Sequence, residues 1–473
     1  MSGTDKNELR PSPRAAETRR AALTMLADNY ERMGNIPAYR RALHELTELE
    51  PSNHATWFRL GNVLAGLGLH EQAVAAYARV LALWAAPEPH FNSANSLVAL
   101  GRLADAVKAF EAAIEMRPDW VECLTNMANA QLELGQHQAA RDNLEKALGL
   151  QGDNAQIRRN LANLSLFEGL SERALALYES RLDVEPFTKM PTYGLAPLGR
   201  QSPDGKRILV QWEQAFGDVI QMLRFVPRLE ARAEECVWQL LKPLHDLARR
   251  AFPGITLVEP GQLPDIAFDA RIPYTSLPLA LGQFDDAMVP SAPYLRPDPA
   301  KVKAWKDRTA GATPLIGLTW RGRELPRFRS VPLPQLVPLL RTGATFLALQ
   351  KDITQEERRF LSLFPNVIDA SEGLFDFDDT AAAIATTMLV ISIDTAVAHL
   401  AGALGRPCWV MVKKASDWRW KASGPKCVWY PSLHLFRQQR FLDWSDVIEK
   451  LRLALLSQKK QDSAGPSPVG QKP

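Results

Sequence analysis

The residues with the most chemical promise lie in one run, Val390-Ile-Ser-Ile-Asp394-Thr395-Ala396-Val397-Ala398-His399, followed by Gly402, Gly405 and Pro407. The apolar stretch up to Asp394 reads as a buried strand with a helix starting directly behind it. Gly405 caps that helix and Pro407 opens the next strand. Exposed amides at Thr395–Val397, with the helix dipole behind them, make an anion site suited to a diphosphate. The plainer alternative is a helix capped by Asp394 with His399 satisfied in a core. A second run, Trp212-Glu213-Gln214-Ala215-Phe216-Gly217-Asp218, sets a carboxylate between a strand and a helix. A carboxylate in a cleft can take the proton of an attacking hydroxyl, whereas a carboxylate that only caps a helix does no chemistry. A third run, Trp320-Arg321-Gly322-Arg323 with Arg327, Arg329 and Ser330 beyond it, gathers four arginines. Their planar forks can chelate phosphate oxygens, and the alternative is a solvated basic loop.

These runs need a scaffold that brings them to one place. From Arg207 the pattern alternates short apolar strands with helices: strands at Arg207–Trp212, Cys236–Leu240 and Ile255–Glu259, helices at Asp218–Leu229 and Pro243–Phe252. That is βαβαβ and implies a parallel sheet. The proline-rich segment 263–312 reads as a crossover. A second series follows, with strands at Leu315–Trp320, Thr345–Gln350, Met388–Asp394 and Cys408–Val412. Its helices are Leu333–Leu340, Gln355–Phe364, Thr380–Thr386 and Thr395–Leu404. Two doubly wound lobes place a cleft at the carboxyl ends of their strands. A nicotinamide enzyme would need Gly-x-Gly-x-x-Gly after an early strand, and neither Glu213–Gly217 nor Asp394–His399 supplies it.

The first third of the chain is periodic instead. Glycines recur at Gly34, Gly68, Gly101, Gly135 and Gly169, spaced 34, 33, 34 and 34. Five residues after each comes Tyr39, Ala73, Ala106, Ala140 or Ala174, and nine residues after comes Leu43, Tyr77, Phe110, Leu144 or Tyr178. A small residue lets two helices approach and a large one fills the groove so created. Pro51, Pro118 and Pro186 close three of the units. Between the repeats and the first strand, Pro191, Gly194, Pro197, Gly199, Pro203 and Gly205 read as linker.

Composition bounds the rest. With 473 residues, 46% apolar and 23% charged, the chain fits about three packed domains. Its net charge of +3 resides in the tails, since residues 1–20 and 458–473 each carry +2 and leave the body at −1. No long-range field therefore argues for nucleic acid. No apolar run approaches the ~18 residues of a membrane span, and the basic start lacks a signal-peptide core, so a cytoplasmic protein is the expectation. Cys123, Cys236, Cys408 and Cys427 lack metal or disulfide spacing and read as structural thiols.

The repeats resemble tetratricopeptide repeats over about 20–188, an α-solenoid whose concave face takes a protein or peptide. The Asp394–His399 run resembles the donor-binding signature of heptosyltransferase-like enzymes, glycosyltransferase family 9, fused to such repeats. The fold class expected is thus α + α/β: a solenoid followed by a two-lobed, Rossmann-like GT-B domain. The expected order is a disordered tail at 1–19, five repeats at 20–188, a linker at 189–205 and an acceptor-side lobe at 206–295. An interlobe connection at 296–312, a nucleotide-sugar lobe at 313–457 and a disordered tail at 458–473 complete it. By this resemblance Asp218 is the general base, and Thr319, Arg321, Arg323, Arg329, Ser330, Asp394, Thr395, Ala396, Val397 and His399 bind the donor. Gln214, Gly217, Trp418, Trp420, Trp429 and Arg437 stack or support, with packing inside the lobe an equal reading of the tryptophans, and the turn at Ala215-Phe216 departs from the family's glycine-rich one.

The function implied is an inverting glycosyltransferase that uses a nucleotide-diphosphate sugar, with no cofactor and no metal. Asp376-Phe377-Asp378 is better explained as a helix cap than as a metal site, and His245, His399 and His434 are too scattered for a ligand set. The competing expectations are a repeat scaffold with an inactive transferase domain, or a phosphate-binding isomerase or epimerase on the same lobes.

Overall fold

A computed structural model describes residues 13–213, 215–289, 292–323 and 329–463. The chain divides into two compact units, the first ending at Asp153 and the second starting at Asn154.

The first unit is four antiparallel helix pairs: Pro13–Arg32 with Ile36–Leu49, His54–Gly66 with His70–Leu83, Pro87–Ala99 with Leu103–Met116, and Val121–Glu133 with His137–Leu150. Gly34, Gly68, Gly101 and Gly135 turn between the partners with φ between +65° and +76°, a conformation in which a Cβ is strained. The register read from sequence is the buried one: Ala73, Ala106 and Ala140 are fully covered, and so are Leu43, Phe110 and Leu144. Tyr39, the exception among the small residues, buries its ring, donates its hydroxyl to Glu31 and accepts from Arg59 Nε at 2.8 Å. Gly61 is required by a close approach, since a Cβ there would lie 2.6 Å from the Tyr77 ring.

The fifth helix pair, Ala155–Glu168 and Glu172–Tyr178, departs from the pattern. Its second helix is half the length of the earlier ones, and Gly169 is extended rather than left-handed. Its apolar face, including Leu166, Leu175 and Tyr178, packs in the same core as the α/β elements of the second unit. The division into compact units thus falls at 153, inside the expected repeat span of 20–188, because the apolar face of this fifth pair is covered by the sheet domain.

The second unit carries two parallel sheets. The first consists of β1 (Arg207–Gln211), β2 (Glu235–Gln239), β3 (Thr256–Val258) and β4 (Ala270–Pro273), in the order β3-β2-β1-β4. The second comprises β5 (Leu315–Leu318), β6 (Thr345–Ala348), β7 (Val367–Asp369), β8 (Leu389–Ile393), β9 (Cys408–Val412) and β10 (Leu433–Arg437), in the order β10-β9-β8-β5-β6-β7. Chain direction across the sheet reverses at β1/β4 and at β5/β8, and such switch points open a crevice at the carboxyl ends of the strands.

Several expectations are corrected. The segment 263–312 is more than a crossover: it contributes β4, whose four residues end in a proline and are too few to show a period. The linker 189–205 is pinned to that strand, Leu198 N–H donating to the Arg271 carbonyl and Arg271 N–H to that of Ala196. Strands β7 and β10 were not anticipated, and helix Ser445–Ser463 runs past 457 into the segment expected to be a tail. The first helix starts at Pro13, inside the other expected tail. The remainder of both tails, Gln214 and Arg327 lie outside the described residues. Among the described residues no helix is long and apolar enough to cross a membrane.

Gly61→Val should destabilise the first unit by about 1–3 kcal/mol through overpacking against Tyr77. Urea denaturation monitored by circular dichroism measures this, and an unchanged midpoint would mean that the approach of the two helices is not tight.

Candidate functional site

The Trp212–Asp218 and Asp394–His399 runs lie at the switch points. Helix Phe216–Met222 follows β1 and helix Ala396–Ala403 follows β8, and the two pack against each other at their starts. Gly217 makes this possible, because a Cβ there would sit 2.8 Å from His399 Cδ2 and 3.6 Å from Ala396 Cα. Asp218 is the third residue of its helix and does not cap it; Ala215 holds the cap position. Likewise Thr395, not Asp394, precedes the other helix, in extended backbone and without a side-chain cap bond. The Thr395 carbonyl accepts from the amides of Ala398 and His399. The amides of Ala396 and Val397, like those in the first turn of any helix, have no acceptor within it. Thr395, Ala396 and Val397 are half-buried.

The charge between the two turns is organised by Arg419, a residue that the sequence did not single out. Its Nη2 lies 2.6 Å from Asp218 Oδ1, its Nη1 donates to Asp417 Oδ1 at 2.8 Å, and its Nε donates to Gln221 Oε1 at 2.8 Å. Burial pushes the Asp218 carboxyl above the usual carboxylate range. Arg419 opposes this, and the negative charges of Asp417 and Glu213 add to it. Burial likewise raises Asp394, to about 6, with Asp417 acting in the same direction and Arg329 against it.

Arg329 reaches the second turn through Nη1, which donates to the Asp394 carbonyl at 3.0 Å, and its guanidinium lies against Gly322. Ser330 Oγ closes the same loop by accepting from Gly322 N–H. Thr319, at the end of β5, is buried; its hydroxyl meets Ser392 Oγ at 2.6 Å, and that oxygen lies 3.2 Å from Thr395 Oγ1. Thr319 therefore supports the helix start from below. Arg321 is held by Glu357, Nε and Nη2 each donating at 3.0 Å to a different carboxylate oxygen. Its bidentate capacity is already engaged. Arg323 is exposed.

His399 is 4% exposed, inside an aromatic wall. Its Nδ1 is 3.1 Å from the Tyr430 hydroxyl, and Trp420 packs on its face with ring centroids 5.1 Å apart. Burial, together with Arg419, Arg224 and Arg329, holds the imidazole well below its ordinary range. Trp418, Trp420 and Trp429 are almost fully covered. The stacking expected of them is packing within the protein: Trp429 and Tyr430 flank the Arg224 guanidinium at 5.2 and 4.7 Å, and Trp418 meets Trp429 edge to face. Arg437 fastens the loop after Trp420 through the Lys421 and Gly424 carbonyls. Asp376 accepts from Asp379 N–H as the expected helix cap, while Asp378 pairs with Arg250 and Asp379 with Lys301. Among the described residues no three His, Cys, Asp or Glu side chains gather as a metal-ligand set.

Glu213, immediately before this turn, completes the site's support. Its side chain is wholly buried and is met by Arg181 Nε at 2.6 Å, with the Thr275 hydroxyl and amide donating to the same carboxylate. Arg181 extends from the end of the fifth helix pair and also donates to Glu179 and Ser276. The fifth pair also touches the other site loop, the Tyr178 ring standing edge-on to Trp418. Sequence inspection missed this link because an arginine 32 residues upstream of Glu213 carries no local signal.

Tetratricopeptide-repeat family models match residues 53–117 and 125–183, and tetratricopeptide repeats occupy the N-terminal region. Protein FlbA of Caulobacter vibrioides is a distant relative, 29% identical over 311 residues, 59% of this chain and 51% of that protein. The chain spans about half the length of this curated relative. Among solved structures, MamA (residues 41 to the end) from Desulfovibrio magneticus RS-1 is 17% identical, with a TM-score of 0.33 over 36% of this chain and 96% of that one. YrrB, described as a TPR protein with an unusual peptide-binding site, is 16% identical, with a TM-score of 0.32 over 36% of this chain and 94% of that one.

Two outcomes follow from the electrostatics. Arg181→Met leaves Glu213 buried without its cation and should cost about 3–5 kcal/mol, seen as a lower urea midpoint; Arg181→Met with Glu213→Gln should recover part of the loss. Asp394 binds its proton more tightly in the folded state, so its contribution weakens stability as pH rises from about 4 through 6. Asp394→Asn should therefore raise Tm relative to the parent above pH 6, with the difference vanishing below pH 4. A difference constant with pH would refute the shift.

Proposed function

We propose that the α/β region is an inverting, metal-independent glycosyltransferase that moves a sugar from a nucleotide-diphosphate donor to an acceptor hydroxyl. In the same proposal the repeats, which indicate a protein-interaction role, recruit the acceptor protein or a partner. The observation that carries this reading is the contact of Gly217 with Ala396 and His399, which sets a carboxylate and a helix start side by side at two switch points. Asp218 takes the proton of the acceptor hydroxyl, whose oxygen attacks the anomeric carbon from the face opposite the diphosphate. The bond to the diphosphate breaks through an oxocarbenium-like state, and the departing oxygen keeps the electron pair. The amides of Ala396 and Val397, with Arg329 beside them, meet its charge. A carboxyl raised by burial is better matched to proton transfer near neutrality than an ordinary one.

The alternative is a repeat scaffold whose transferase region is inactive. The Asp218–Arg419 ion pair favours it, because a carboxylate fixed on a guanidinium must leave that partner before it can act as a base.

Thermal shift with a panel of nucleoside diphosphates separates the two, since a ligand that binds only the folded state raises Tm. A donor screen with intact-mass detection of modified proteins then identifies sugar and acceptor. Asp218→Asn should lower transfer at least 100-fold while nucleotide stabilisation persists. Full activity in that variant removes Asp218 as the base, and no response to any nucleotide favours the scaffold.

A further inference from the structure

The hydroxyl protons around His399 can be assigned one by one. Tyr294 Oη lies 2.9 Å from the Ile220 carbonyl, which can only accept, so the Tyr294 proton points there. Its oxygen meanwhile accepts from Arg224 Nη2 at 3.3 Å. The Tyr430 proton then has two destinations, His399 Nδ1 at 3.1 Å or the Tyr294 oxygen at 3.5 Å. Only the first is within good hydrogen-bond distance. If Nδ1 carried a proton instead, Tyr430 would accept it and its own buried hydroxyl would have no good acceptor, which is costly.

We infer that Tyr430 donates to Nδ1 and fixes His399 as the Nε2–H tautomer, so that the cleft offers a neutral N–H donor beside Gly217 to an oxygen of the bound anion. His399 Nε2 lies on the Gly217 side of the ring, and among the described residues nothing accepts from it. The charged groups that act on the ring are the cations Arg419, Arg224 and Arg329, and the titratable hydroxyl against it is that of Tyr430. Three guanidinium groups and burial oppose a charged imidazole. A ring that stays neutral and has its lone pair on Nδ1 engaged is a donor only. His399 therefore holds a phosphate oxygen and leaves proton removal to Asp218. The identity of that oxygen rests on the transferase reading; the tautomer does not.

Two-bond ¹H–¹⁵N correlation spectra of the full chain labelled with ¹⁵N-histidine report tautomer and charge directly, with His399 assigned by its loss in His399→Gln. The expected pattern is a neutral Nε2–H ring unchanged between pH 5.5 and 8. An Nδ1–H pattern, or a ring that titrates in that range, overturns the inference. Tyr430→Phe keeps the aromatic ring and removes the donor, so the Nδ1 resonance of His399 should move downfield toward that of an unbonded ring nitrogen, and an unchanged Nδ1 shift denies Tyr430 its role. UDP, GDP and ADP are then added in turn. Whichever stabilises the protein in thermal shift should move the Hε2 resonance of His399 and bind about 5- to 10-fold more weakly to Tyr430→Phe. Stabilisation without movement of that resonance overturns the donor role. No stabilisation by any of the three overturns both the donor role and the transferase reading, with the tautomer still decided by the spectrum.

Discussion

Arg419 is the charge around which the candidate site is arranged. It is buried, belongs to the loop after β9, and reaches Asp218 and Gln221 on the helix after β1. A guanidinium removed from water is tolerated only when its donors are engaged by well-placed acceptors. Here Gln221 and Asp417 accept from Nε and Nη1 while Asp218 sets its counter-charge beside Nη2, so the two sheets are joined through groups that also set the charge of the cleft. The carboxyls of Asp218 and Asp394 are consequently not independent. Burial and Asp417 hold both above the ordinary carboxylate range, and Arg419 pulls both back.

The same requirement for buried charge ties the fifth helix pair to the sheet domain. Arg181 and Glu213 are both hidden from solvent, and neither is stable there alone. Glu213 opens the turn that carries Asp218, and Tyr178 stands against Trp418, the residue directly after Asp417. A segment that continues the repeat pattern thereby becomes part of the wall of the candidate site. It has given up the features that allow further stacking of repeats: its second helix is short, and Gly169 no longer makes the left-handed turn.

The elements nearest the site were well legible in sequence. The ends of β1 and β8 and the helix starts at Phe216 and Ala396 fall within a residue or two of expectation, because a buried apolar strand followed by a small-residue helix is a strong local pattern. What failed was short or non-local. Strand β4 has four residues and a proline, and β7 has three, so neither completes a period. Trp418, Trp420 and Trp429 were singled out by type, yet their faces are used up by Arg224, His399 and one another. Arg321 had the right chemistry but meets Glu357, which sits on the helix after β6.

The amino-acid sequence by itself determined the 34-residue repeat, the βα alternation and the two turns bearing Asp218 and Thr395, because each depends on neighbours within a few residues. Only the tertiary structure decided that Gly217 lets those turns touch, that Arg419 stands between their carboxylates, and that Tyr430 accompanies His399. These are contacts across 31 to more than 200 residues, set by the order of strands in two sheets. The physical reason is that periodicity and capping are properties of local backbone geometry. The partner of a buried charge or a ring nitrogen is chosen instead by which distant segments the packing brings within hydrogen-bond reach.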